Sequence, residues 1–219
     1  MSASTVSIPS FEPPAEHTTL TATLQLSLTA TMSIYQCTPP TSPPLSWVQT
    51  AYHPPPTESP DHATHPLLSI PPHWHAHHDE IMTVTSGRMK FSIGGQDVML
   101  GHGEGCETNE AQIKRGTVHG FTVLRGEAAE FRERTVPQGP FKGAFFQDLF
   151  AAGEPGVLHA MRTFADGDTY VALPGGWKWL DYWVTCALGA LGKLLLPYRE
   201  APVMVAEIAK SDSSKTKVI

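Results

Sequence analysis

From Leu20 to Ile34 apolar and polar residues alternate without a break. Leu20, Ala22, Leu24, Leu26, Leu28, Ala30, Met32 and Ile34 interleave with Thr21, Thr23, Gln25, Ser27, Thr29, Thr31 and Ser33. Successive side chains of a strand point to opposite faces, whereas a helix would scatter this set around its circumference. Fifteen positions of period two therefore predict a half-buried strand, or two strands joined by a bend.

The same logic extends downstream. Short apolar-rich runs at Ile81–Thr85, Met89–Ile93, Asp97–Leu100, Gly116–Leu124 and Ala129–Val136 are separated by Ser86-Gly87, Gly94-Gly95, the glycine-dense Gly101–Gly105 and Arg125-Gly126. Many short strands with regular glycine turns predict a β-sandwich or barrel. Residues 38–72 hold most of the 20 prolines. Proline cannot donate to a sheet ladder, so this stretch is expected to wrap the barrel with short edge pieces. After Pro140 the period changes to that of a helix. Phe141, Ala144, Phe145 and Leu149 share one face, as do Val157, Met161 and Phe164, and a longer helix is expected from Trp179 to Leu196 with small residues along it.

These patterns divide the chain into a Ser/Thr/Pro-rich N-terminus expected to be disordered (1–19), a β-barrel (20–140), a helical extension packed on the barrel (141–200) and a polar tail (201–219). The long helix is expected to pack on the barrel or on a partner subunit, which allows a homodimer. It is not expected to span a membrane: Asp181 and Lys193 bracket eleven uncharged residues, and a span needs about twenty. Residues 1–19 lack the basic and apolar regions of a secretory signal, so a cytoplasmic protein is expected. A formal charge of -6 without a basic cluster argues against nucleic acid. Cys37, Cys106 and Cys186 form no CxxC pair and read as free thiols.

The compositional anomaly is histidine: four of the 11 fall between residues 73 and 78. On a strand His73 and His75 point the same way, and after a tight bend Glu80 returns a carboxylate to that face. Two imidazoles and a carboxylate make a compact N/N/O set that a histidine from a distant strand would complete. Gly116-Thr117-Val118-His119 supplies it. His77, His78 and Asp79 are read as a solvated turn or as groups behind the ligands. His62, His65, His102 and His159 are read as ordinary histidines.

The spacing HxH-x4-E-x6-G, ending at Gly87, followed by G-x2-H resembles the two signature motifs of the cupin superfamily. The likeness runs over about residues 67–136, with the metal motifs within 67–123. Leu67, Lys114 and Val123 stand where the family pattern has glycine, proline and asparagine. Pro56–Pro60, Pro71–His75, His119-Gly120-Phe121 and Ala165–Tyr170 further resemble small fungal cupin-domain proteins of polyketide clusters, often labelled oxidoreductases. The resemblance implies a mainly β fold, a single jelly-roll-type cupin barrel with a C-terminal helical extension. It also implies one divalent transition metal held by His73, His75, Glu80 and His119.

The donors are nitrogen and oxygen without sulfur, which suits Fe, Mn, Ni, Cu or Zn. Four protein ligands on an octahedral ion would leave two open positions for a small-molecule substrate. Glu133 shares the parity of Phe131 and Thr135 and is read either as a surface carboxylate or as the candidate general base or ligand-supporting carboxylate. Met82, Val84, Met89, Phe91, Phe121 and Phe131 are expected to line an apolar pocket suited to a flat, oxygen-bearing molecule. The expected activity is oxidation of an aromatic or polyketide-derived metabolite. A Lewis-acid cyclase, isomerase, dehydratase or decarboxylase and a non-catalytic metal-binding cupin are the alternatives. Gly101-His102-Gly103-Glu104-Gly105 lies within an all-β stretch, the wrong context for a dinucleotide fingerprint.

Overall fold

The structure, a computed structural model, describes residues 15–38, 45–151, 153 and 155–197. The expectations for residues 1–14, for the prolines at 39, 40, 43 and 44, and for the tail lie outside the described residues. A single 3-10 turn at Ala15–His17 precedes fourteen elements. They are β1 (Thr18–Ser27), β2 (Ala30–Cys37), β3 (Leu45–Tyr52), β4 (Ser69–Trp74), β5 (Asp79–Ser86), β6 (Arg88–Ile93) and β7 (Gln96–Gly101). After these come β8 (Glu110–Ile113), β9 (His119–Val123), β10 (Ala129–Val136), α1 (Phe141–Leu149), α2 (Val157–Asp166), β11 (Tyr170–Val171) and α3 (Lys178–Leu195).

The strands form two antiparallel sheets, ordered β1-β2-β3-β10-β5-β8 and β11-β4-β9-β6-β7. The fold is mainly β, with the jelly-roll character expected. The fifteen-residue alternation becomes the β1–β2 hairpin, bent at Leu28-Thr29. On β2 the alternation is read out as burial: Ala30, Met32 and Ile34 are buried and Thr31, Ser33 and Tyr35 are half-buried. Gly87, at φ 70, makes the tight turn from β5 to β6; a Cβ there would meet the Ala128 carbonyl oxygen at 2.2 Å.

Three departures from the sequence expectation have physical causes. β3 is not an edge piece but an interior strand between β2 and β10. Prolines crowd on both sides of it, yet Leu45–His53 carries none, so every amide can donate to the ladder. β4 tolerates Pro71 and Pro72 because its register against β9 slips between Ile70 and His73. β8 escaped notice because Glu110-Ala111-Gln112-Ile113 is short and polar; pairing with β5 makes it a strand.

Facing side chains of the two sheets meet in one core. Met82, Val84 and Phe131 of the first sheet pack with Met89, Phe91, Phe121 and Val123 of the second. The six residues expected to line a pocket thus fill the barrel, each no more than 6% exposed. Farther along the same face of β2 and β3, Met32, Ile34 and Val48 meet Phe141, Phe145, Phe146 and Leu149 of α1. That contact sets α1, and Lys142 in its first turn, against the metal motifs. α3 packs on α2 through small residues: a Cβ at Gly192 would come 2.5 Å from the Leu158 carbonyl oxygen. Among the described residues no helix is long and apolar enough to cross a membrane.

Candidate metal centre

His73 and Trp74 end β4, and His75 follows directly. Strand alternation turns the two imidazoles inward and sends Trp74 the other way, where its Nε1 donates to Asp181 of α3 at 3.1 Å. The β4–β9 register sets His73 opposite His119, and β5 carries Glu80. Gly116, at φ 77, makes the turn before β9, and its amide donates to the His75 carbonyl at 2.6 Å. The two motifs are therefore locked to each other through backbone. His73, His75, Glu80 and His119 each offer one ligand atom within 4.8 Å of the other three. The ring centroids of His73 and His119 are 4.3 Å apart, and those of His75 and His119 5.3 Å.

Backbone carbonyls fix the orientation of all three imidazoles. Nδ1 of His73 lies 2.9 Å from the Pro71 oxygen, Nδ1 of His75 2.8 Å from the Asp168 oxygen, and Nδ1 of His119 3.0 Å from the Thr117 oxygen. A carbonyl only accepts, so each Nδ1 donates and each Nε2 points to the centre. Nε2 of His73 and His75 keeps its lone pair, whereas Nε2 of His119 donates to Glu80 Oε2, a proton that a bound metal would displace. Nε2 of His75 is buried and has no hydrogen-bond partner. Nε2 of His119 faces Glu80 Oε2 at 2.9 Å, and His75 Nε2 lies 3.8 Å from the same oxygen. Lone pairs and a carboxylate gathered at one buried point call for a cation, and a divalent metal fits this donor set.

The electrostatics agree. Burial, with the neighbouring His119 and His75, pushes the His73 pKa down to about 3, which leaves a neutral imidazole ready to ligate. Burial alone would lower His119, but the bond to Glu80 raises it instead. Burial would raise Glu80, yet Lys142, His119 and His75 hold it well below the usual carboxylate range.

Lys142 is the residue that sequence reasoning missed. It is 5% exposed, and its ammonium bonds Glu80 Oε1 and lies 2.9 Å from Glu133 Oε2. It occupies one oxygen of Glu80 and leaves the other facing the histidines. Helical periodicity gave no warning, since a lysine in a first turn normally faces water. The only signal is the pair of inward carboxylates that require a counter-charge. Glu133 is buried, which rules out the surface carboxylate, and burial raises its pKa while Lys142 opposes the rise.

Behind the centre, Asp168 organises the whole run 75–78. Its carbonyl accepts from His75, and its carboxylate accepts from the amides of Ala76 and His77 at 3.0 and 2.8 Å and from His78 Nδ1 at 2.8 Å. Among the described residues it is the one non-glycine with positive φ, at 56, a conformation aspartate tolerates better than most. His77 is exposed. His78 and Asp79 are buried, so they belong to the supports and not to a solvated turn. Asp79 accepts from Gln112, Lys114 and Arg115, tying the approach to β9 onto β5. Thus Lys114, where the family pattern has proline, finds a partner at 3.0 Å. His62, His65 and His159 lie apart from the centre, bonded to Pro55, Thr29 and Asp148.

No protein-family model matches the chain, and no curated protein matches it. Solved structures similar to it include the polyketide cyclase RemF from Streptomyces resistomycificus, at 21% identity over 50% of this chain and 66% of that one, with a TM-score of 0.34. KdgF from a Halomonas species is 18% identical over 47% of this chain and 76% of its own, TM-score 0.32. A cupin-2 domain from Rhodospirillum rubrum is 12% identical over 48% and 57%, TM-score 0.33. The chain spans just under two thirds of the cyclase.

Proposed function

We propose that this chain is a cupin enzyme that binds one divalent transition metal through His73, His75, Glu80 and His119. Its substrate is a small oxygen-bearing molecule, aromatic or polyketide-derived. The observation that carries the reading is the shared orientation: three backbone carbonyls hold three Nδ1–H groups and turn three Nε2 atoms toward one carboxylate. The metal would supply Lewis acidity, and with Fe or Mn also electron transfer.

The protein's own groups have separable tasks. His73, His75 and His119 present Nε2, which a bound metal would hold in the neutral ring. Lys142 restricts Glu80 to one inward oxygen and keeps the buried charge balanced. Glu133, its carboxyl pushed up by burial, is the group placed to hold a proton at Oε1 or Oε2 while Lys142 steadies it.

Oxidation with dioxygen is the first reading, because the N/O donor set suits Fe(II) and the chain carries no dinucleotide fingerprint. Proton transfer is the second, favoured by the buried Glu133–Lys142 pair. Turnover of candidate aromatic substrates by Fe(II)-loaded and Zn(II)-loaded protein, with and without oxygen, separates them. The oxidative reading expects conversion with Fe(II) and oxygen only. Equal conversion with Zn(II), or without oxygen, would replace it by the proton-transfer reading.

A further inference from the structure

α3 is amphipathic the wrong way round for a surface helix. Its buried positions are Asp181, Thr185, Gly189 and Gly192, small or polar residues set against α2 and the barrel. Apart from Lys178 and Lys193, its outward positions are apolar, and most of them are large. Trp179 and Trp183 are 64% exposed, Leu191 41%, Leu194 79% and Leu195 62%, with Trp177 and Tyr182 beside them at 59% and 39%. The exposed residues 179, 183, 187, 190, 191 and 194 follow one another at helical spacing, so the stripe is continuous along the element. A surface helix ordinarily turns this face to the core.

We infer that the outer face of α3 is the contact surface for a second copy of this chain. Area is the first argument. With aromatic side chains offering roughly 150–250 Å² each, the stripe presents on the order of 700 Å². That exceeds the roughly 300–600 Å² of the largest apolar patch on a typical monomer and approaches the roughly 800 Å² each partner brings to a stable interface.

Charge is the second argument. In a two-fold contact a residue near the axis meets its own copy, so a charge there would face its like, and a charge farther out would need an opposite partner within the same patch. None of the stripe residues is charged. The helix's two lysines are engaged outside the stripe, Lys178 with the Gly116 carbonyl and Lys193 with Asp166 at 2.5 Å. A bilayer is the poorer occupant. Interfacial helices carry basic residues alongside the apolar face, and a formal charge of -6 is repelled by anionic lipid.

The contact would also bear on the centre. Asp181, 1% exposed, accepts from Trp74, which stands between His73 and His75, and Lys178 reaches the turn that delivers His119. The inference does not depend on the metal reading, and its readout is mass, not activity.

The test is sedimentation velocity and light scattering on the full chain over a dilution series, with Trp183→Glu and Leu194→Glu as variants. Both side chains are exposed, and far-UV circular dichroism checks that the variants stay folded. The expected result is a wild-type dimer, with each substitution raising the dissociation constant at least tenfold. Ala187→Cys, at mid-stripe, is expected to cross-link two copies on mild oxidation. If one variant fails to fold, the other and the cross-link decide. A wild-type monomer throughout the series, a dimer indifferent to both substitutions, or a monomer that sediments with phosphatidylcholine vesicles would each overturn the inference.

Discussion

Three histidines of one chain turn Nε2 toward one point because three backbone carbonyls hold their Nδ1–H groups. This arrangement predicts which changes empty the centre. The His75→Ala/His119→Ala double variant is expected to lose metal, measured as metal per chain after dialysis, while His77→Ala, whose side chain faces solvent, should retain it. Full occupancy in the double variant would refute the assignment. Lys142 poses a different question, because its removal leaves two buried carboxylates without their cation. Lys142→Met should cost about 3–5 kcal/mol in denaturant unfolding. Adding Glu133→Gln removes one orphaned charge and should return part of that loss, a coupling expected of groups in contact. Strict additivity would mean that the pair does not act as a unit.

Among the elements, the α2–β11 turn and the β4–β9 contact decide how well the ligands are held. Asp168→Ala removes three hydrogen bonds to residues 76–78 and the preference for positive φ. It touches no ligand side chain through its carboxylate. Loss of such a support typically weakens metal binding about 10–100-fold, and calorimetric titration of the apo protein would measure it. Unchanged affinity would make Asp168 a purely structural anchor. Gly120 tests the sheet. A Cβ there would lie 2.7 Å from the Ile70 carbonyl oxygen and 3.2 Å from Pro71, at the register slip that brings His73 opposite His119. Gly120→Ala is expected to lower Tm by several degrees, consistent with a cost of about 1–3 kcal/mol for overpacking, and to weaken metal binding as well. These contacts were invisible beforehand. β4 reads as a proline-broken segment until β9 lies against it, and nothing in the order of residues joins Asp168 to His75.

For the molecule as a whole, the buried histidines tie stability to pH. His73 and His78 have folded pKa values of about 3 and about 4, against 6.5 when exposed, burial being the main cause in both. Between those values the unfolded chain binds more protons than the folded one. Stability is therefore full above about pH 6.5 and falls as the pH drops toward 4. His119, raised by Glu80, acts in the opposite sense: its contribution is present below 6.5 and is lost as the pH rises through its higher folded value. Glu133, raised by burial, acts in the same sense as His119, and the large depressions of His73 and His78 set the net direction. Thermal melts of the metal-free protein should give a lower Tm at pH 5 than at pH 7.5, and an equal or higher one would contradict the burial of His73 and His78.

Local rules were enough wherever neighbours in sequence are neighbours in space. Alternation foretold the β1–β2 hairpin and the glycines marked the turns. HxH parity set His73 and His75 on one side, and the helical period after Pro140 located α1 and α2. Each of these rests on backbone geometry within a few residues, which the order of side chains specifies directly. The remainder depends on pairs of residues far apart in the chain. β3 and β8 became strands only through their partners, Lys142 became an interior cation only between Glu80 and Glu133, and Asp168 reached His75 from 93 positions away. The pocket expected inside the barrel closed for the same reason. Parity sends Met82, Phe91, Phe121 and Phe131 inward, but the spacing between the two sheets determines whether they line a space or fill it. A buried charge or a filled cavity is a property of the assembled neighbourhood, and only tertiary packing sets its desolvation and its partners.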